Sequence, residues 1–174
     1  MKKRLLASGV AAILAGSLTV GVALAASPTP INKFSDWVAS TYTDNGKTLC
    51  YASTEPKKVA GAPKGRAKPY VAVTHAPAAN VRDQVSYVAG YEMKPDSEVS
   101  VLIGKETYAL TILQKDRAWA KDPDTDKALV AAMRKGNSVT IKGTTTTGKT
   151  VTDVYSLLGF SKAYQAIGAA CKIQ

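Results

Sequence analysis

Four short runs follow one another between residues 70 and 113: YVAVTHA (70–76), QVSYVAGY (84–91), EVSVLIG (98–104) and TYALTIL (107–113). Each is rich in Val, Ile, Tyr and Thr, residues that fit a pleated, half-buried surface, and only turn-like segments separate them. Gly104-Lys105 reads as the tip of a hairpin joining the last two. Short strands in close succession without intervening helices predict an antiparallel sandwich or barrel.

The rest of the chain extends this pattern. WVASTY (37–42) and KTLCYAS (47–53) flank the tight-turn signal Asp44-Asn45-Gly46 and predict a hairpin carrying Cys50 on its second strand. EPKKVAGAPKGRAKP (55–69), with three prolines, two glycines and five cations, reads as a surface loop. DPDTDKALVAAMRKG (122–136) has helical spacing, with Thr125 or Asp124 as cap, Ala128, Leu129, Ala132 and Met133 on an apolar face, and Gly136 at its end. A last hairpin is expected from 137–142 and 149–155 around a Thr-rich loop. After Gly159, Phe160, Ala163, Tyr164, Ile167 and Cys171 recur at helical spacing, which can press Cys171 inward against the hairpin bearing Cys50.

At 174 residues the chain suits one domain with a full core. Lys2, Lys3 and Arg4, an uncharged apolar stretch to Leu24 and the small-x-small end Ala23-Leu24-Ala25 read as a secretory signal over 1–25, cleaved near Ala25. Residues 26–33, with the Pro-rich SPTPIN, are expected to be a mobile mature N-terminus. That leaves 34–174 as the domain, in a periplasmic or secreted protein. In an oxidising compartment the chain's two cysteines, Cys50 and Cys171, favour a disulfide over a metal or thiol site. Losing the three leader cations takes the formal charge from +10 to +7. A chain this basic is drawn to anionic polysaccharide or lipid surfaces, and export excludes nucleic acid as the physiological partner. Lys57, Lys58, Lys64, Arg66 and Lys68 are the candidate contacts for such a partner, against the alternative of a solvated connecting loop.

Residues suited to catalysis are sparse. Gly143 to Thr150 satisfies G-x-x-x-x-G-K-[ST], yet that phosphate cradle needs a helix directly after it, and VTDVYSL is strand-like. A Thr-rich hairpin loop accounts for the same residues, so no nucleotide is expected. His75 is the sole histidine and has no nucleophile motif around it. Trp37 and Trp119 read as packing residues, since neither has the aromatic spacing of a ligand platform. No catalytic residue, metal site or cofactor is assigned.

One order of residues goes further. Trp37, Cys50-Tyr51, Arg66, Pro69-Tyr70, Ser86, Gly90-Tyr91, Ala118-Trp119, Ala131-Ala132-Met133, Gly136, Asp153-Val154-Tyr155-Ser156-Leu157, Gly159-Phe160 and Ala170-Cys171 together resemble the invasion-associated locus B family of exported bacterial proteins. The resemblance spans the mature chain and implies an immunoglobulin-like antiparallel β-sandwich with two short helices, exported by a Gram-negative cell. It attaches no catalytic residues. Family members often carry further cysteines near the first strand, where Ser40 and Thr41 stand here, so a role resting on those cysteines does not carry over. The resemblance implies a non-enzymatic interaction protein with an unidentified envelope or host partner. A cationic module for anionic envelope polymers and an envelope hydrolase assembled around His75 remain as alternatives.

Overall fold

The computed structural model describes residues 27–173; the leader assigned to 1–25 lies outside the described residues. In chain order the elements are β1 (Thr29–Phe34), β2 (Trp37–Asp44), β3 (Lys47–Thr54), β4 (Lys58–Ala60), β5 (Tyr70–Ala76), a 3-10 turn (Pro77–Ala79), β6 (Val81–Val88), β7 (Val99–Ile103), β8 (Glu106–Leu110), β9 (Ile112–Gln114), β10 (Arg117–Trp119), α1 (Pro123–Lys135), β11 (Ser138–Thr144), β12 (Thr150–Ser156) and α2 (Phe160–Ala170). The strands form two antiparallel sheets. The first, of seven strands, runs β1-β2-β3-β5-β6-β10-β9; the second, of five, runs β4-β12-β11-β7-β8. Their facing sides carry the core, from Trp37, Val73 and Tyr87 in the first sheet to Leu110, Ile141 and Tyr155 in the second. The fold is thus mainly β, in accord with a β-sandwich carrying two helices.

Several strands follow from the sequence directly. YVAVTHA is β5, and Gly104-Lys105 is the two-residue connection between β7 and β8, where Ile103 faces Glu106. TYALTIL, expected as one strand, is two. The chain leaves the five-stranded sheet at Leu110 and enters the seven-stranded sheet at Ile112, so a single residue, Thr111, passes between layers. Thr29–Phe34, most of it assigned to a mobile terminus, is β1 and pairs with β2. Pro30 fits because β1 is an edge strand with a register shift between Pro30 and Asn32, where a missing N–H costs no ladder bond. Within the expected loop 55–69, residues 58–60 pair with β12 as β4.

Both helices lie where the alternation of strand side chains requires cover. Helix α2 packs on β1, β2 and β3, with Phe160 and Trp37 ring centroids 4.7 Å apart. Its start depends on Gly159, whose φ is +92°, and a Cβ there would lie 1.9 Å from the Phe34 carbonyl oxygen. Beyond its end, Cys171 is bonded to Cys50, with Cα atoms 5.9 Å apart. Helix α1 is capped by Asp122, whose carboxylate accepts from Thr125 N at 2.8 Å. Leu129, Val130 and Met133 face inward, whereas Ala128, placed on the apolar face by its spacing, is exposed.

Candidate functional site

Side chains on a strand alternate between faces, so Cys50 and Tyr51 point opposite ways from β3. Cys50 meets α2 on the inner face, and Tyr51 lines a groove on the outer face of the seven-stranded sheet. Strand register explains the groove. One row across the sheet reads Val38, Ser53, Ala72, Ser86, Trp119, and the next reads Ser40, Tyr51, Thr74, Gln84. A third brings Tyr70 beside Val88 and Arg117. The small residues Ser53, Ala72 and Ser86 leave a floor without bulk, while Tyr51, Tyr70 and Trp119 stand around it. The groove, open to solvent, has a volume of about 960 Å³.

One end of the groove is rimmed by charges. Lys33, Lys57, Lys68 and Arg117 line it together with Asp36 and Glu55. Lys57 Nζ lies 2.5 Å from Asp36 Oδ1, and this hydrogen-bonded ammonium holds the Asp36 carboxyl below the usual range. Lys68 Nζ is 3.6 Å from Glu55. Lys33 and Arg117 form no ion pair among the described residues.

The five candidate cations therefore separate. Lys57 and Lys68 reach the groove rim, and Lys58 and Lys64 are exposed elsewhere on the loop. Arg66 is a correction: its side chain is 7% exposed and turned inward, so it presents no charge to a partner. Its Nη1 donates to Asp153 Oδ1 at 2.8 Å and its Nε to the Ala89 carbonyl at 2.6 Å. Asp153, on β12, is fully buried and also accepts from the Tyr87 hydroxyl at 2.8 Å. Burial pushes both Tyr87 and Tyr155 far up, so these hydroxyls keep their protons and Tyr87 acts as a donor. The loop runs from β4 of one sheet to β5 of the other, Ala67 N bonds the Gly90 carbonyl at 2.9 Å, and the buried carboxylate needs a partner there.

His75 is equally withdrawn. Its ring is fully buried, its Nδ1 accepts from Asp83 N at 3.2 Å, and Tyr164 packs edge-on at 5.4 Å between centroids. Burial holds its pKa down, so the neutral ring persists. No solvent-borne substrate meets this histidine. The Gly143–Thr150 stretch is a hairpin loop: Thr145 N bonds the Lys149 carbonyl at 2.9 Å, and β12 follows where a phosphate cradle needs a helix. Among the described residues no group of three or more His, Cys, Asp and Glu side chains converges on one point.

The groove escaped sequence reasoning because its aromatic residues sit on three different strands. The available signal was the alternation around Tyr51, Tyr70 and Trp119, which places each on a face but gives no register between strands. Trp37 does pack in the core, donating from Nε1 to the Ser156 carbonyl at 2.9 Å. Trp119 instead walls the groove.

The model of the invasion associated locus B (IalB) protein family matches residues 37–168. The fold is similar to the crystal structure of invasion associated protein B from Bartonella henselae, with a TM-score of 0.57 and 17% identity over 81% of this chain and 96% of that one. At that identity the likeness bears on fold alone. No curated protein sequence matches the chain.

Proposed function

The chain belongs to the invasion associated locus B family, and on that premise we propose that it is a non-enzymatic, exported envelope protein that binds a partner in the outer-face groove. The observation that carries this reading is the contrast between the chain's two polar assemblies. Arg66, Asp153, Tyr87 and His75 are spent on internal bonds, whereas the groove presents Tyr51, Tyr70, Trp119 and a charged rim to solvent. The Cys50–Cys171 bond supports export to an oxidising compartment. No helix among the described residues is long and apolar enough to cross a membrane. The names of the family and of the Bartonella protein support a partner met at a host-cell or envelope surface.

Site-specific photocrosslinking in the native envelope tests the groove. A photoreactive residue at Thr74, in the groove, is expected to give adducts of defined mass. The same residue at Leu102, exposed on the other sheet, is expected to give none. Equal labelling at the two positions, or none at Thr74, would overturn the groove as the working surface.

A further inference from the structure

Resting on the groove as the working surface, we infer that its occupant is an acidic glycan, a chain of sugar rings bearing carboxylates. Three features lead to this chemistry. First, the floor strands β3, β5, β6 and β10 pair with neighbours on both sides, so their main chain offers no edge to an extended peptide. Recognition there is by side chains alone. Second, those side chains combine aromatic surface from Tyr51, Tyr70 and Trp119 with the small polar groups of Ser53, Thr74, Gln84 and Ser86. Aromatic rings give a sugar ring an apolar surface to lie on, and hydroxyl and amide groups exchange hydrogen bonds with its hydroxyls. Third, the lining carries four cations against two carboxylates, with Lys33 and Arg117 free of ion pairs among the described residues. That balance favours an anion.

The dimensions agree with an oligomer. Tyr51 on β3 and Trp119 on β10 are three strand spacings apart, about 14 Å laterally, so a ligand touching both is longer than one ring. A flat lipid surface would meet the rim of such a recess and miss its floor. A bare polyanion would use the cations and leave the aromatic walls uncovered.

Tryptophan fluorescence of the purified mature protein supplies the readout, since Trp37 is fully buried and Trp119 stands in the groove. Titration with an oligogalacturonate hexamer is expected to change the emission saturably. Maltohexaose and polyphosphate are each expected to bind at least tenfold more weakly, and vesicles of anionic phospholipid to leave the emission unchanged. By calorimetry, Trp119→Ala and Arg117→Glu should each weaken the hexamer at least tenfold, while Lys142→Ala, exposed on the other sheet, should leave it unchanged. Arg117 is exposed, so its variant keeps the test open where Trp119→Ala loses its fold. The inference is overturned if polyphosphate or vesicles match the hexamer, if neither groove variant weakens it, or if the hexamer does not bind. Thr74 adducts persisting without hexamer binding would reject the glycan and leave the groove standing.

Discussion

Arg66 shows how one cation can hold two layers together. Its guanidinium reaches the Ala89 carbonyl after β6 of one sheet and Asp153 on β12 of the other, and it lies 5.3 Å from the Tyr91 ring centroid. Two charges taken out of water are expensive, and their mutual attraction offsets that cost only while both are present. Arg66→Met strands the buried Asp153 carboxylate and is expected to lower the unfolding free energy by about 3–5 kcal/mol. Arg66→Met with Asp153→Asn removes both charges and should recover a large part of that loss. Urea denaturation of Arg66→Met, Asp153→Asn and the double variant decides the matter; a double variant as unstable as the sum of the two single changes would contradict the pairing. Gly90 belongs to the same arrangement. Its φ is +70° and a Cβ there would lie 2.2 Å from the Ala67 carbonyl oxygen, so the strap carrying Arg66 closes only over glycine.

Among the elements, α1 does more than cover apolar surface. Strand β10 pairs with β6 only over Ser86–Val88, which leaves Val85 N beyond its end, and Asp126 Oδ1 accepts that N–H at 2.9 Å. Burial, assisted by the nearby Asp122 and Asp83 carboxylates, raises Asp126 from 3.8 to about 6. With the folded value above the unfolded one, its contribution to stability is full below about pH 3.8 and is lost as the pH rises through about 6. Asp126→Asn keeps an acceptor for Val85 N and removes the titration. Wild type should therefore gain on this variant, by at most about 3 kcal/mol, between pH 7 and pH 4. His75 works the other way, since burial lowers its pKa and the unfolded chain takes the proton first below pH 6.5. Both proteins carry His75, so the difference between their stability curves isolates Asp126; parallel curves would refute the assignment.

Element by element, legibility followed length and pattern. The β5 strand, the β7–β8 hairpin, α1 and the β11–β12 hairpin each carry enough periodic residues to declare themselves. Of the missed strands, β4 and β10 have three residues each, too few to show alternation, and β1, six residues long, is exposed along almost its whole length and so carries no alternation either. The break at Thr111 is hidden for a related reason: Tyr108, Leu110 and Ile112 read as one unbroken period of two, yet Ile112 is exposed and Leu113, out of that phase, is the residue that packs against the core from the other sheet. The groove shares that limit. Tyr51, Tyr70 and Trp119 meet through inter-strand register, a long-range property that local patterning does not contain.

At the scale of the molecule, the two ends of the domain are fastened by the Cys50–Cys171 bond, which links residues 121 positions apart. A bridge of that span limits the unfolded chain by about 4–5 kcal/mol in the loop-entropy account. Cys50→Ser with Cys171→Ser is expected to fold with a clearly lower denaturation midpoint, and intact mass of the wild type should be two protons below the dithiol. An unchanged midpoint would mean that the unfolded chain is held together by other means. The fastening also has a place in time. A ribosome delivers Cys50 well before Cys171, which follows it by 121 positions. During that interval Cys50 has no correct partner, and the first hairpin must form without its covalent tie. Closure therefore waits on the residues after α2, and a chain that stops short of Cys171 cannot acquire it.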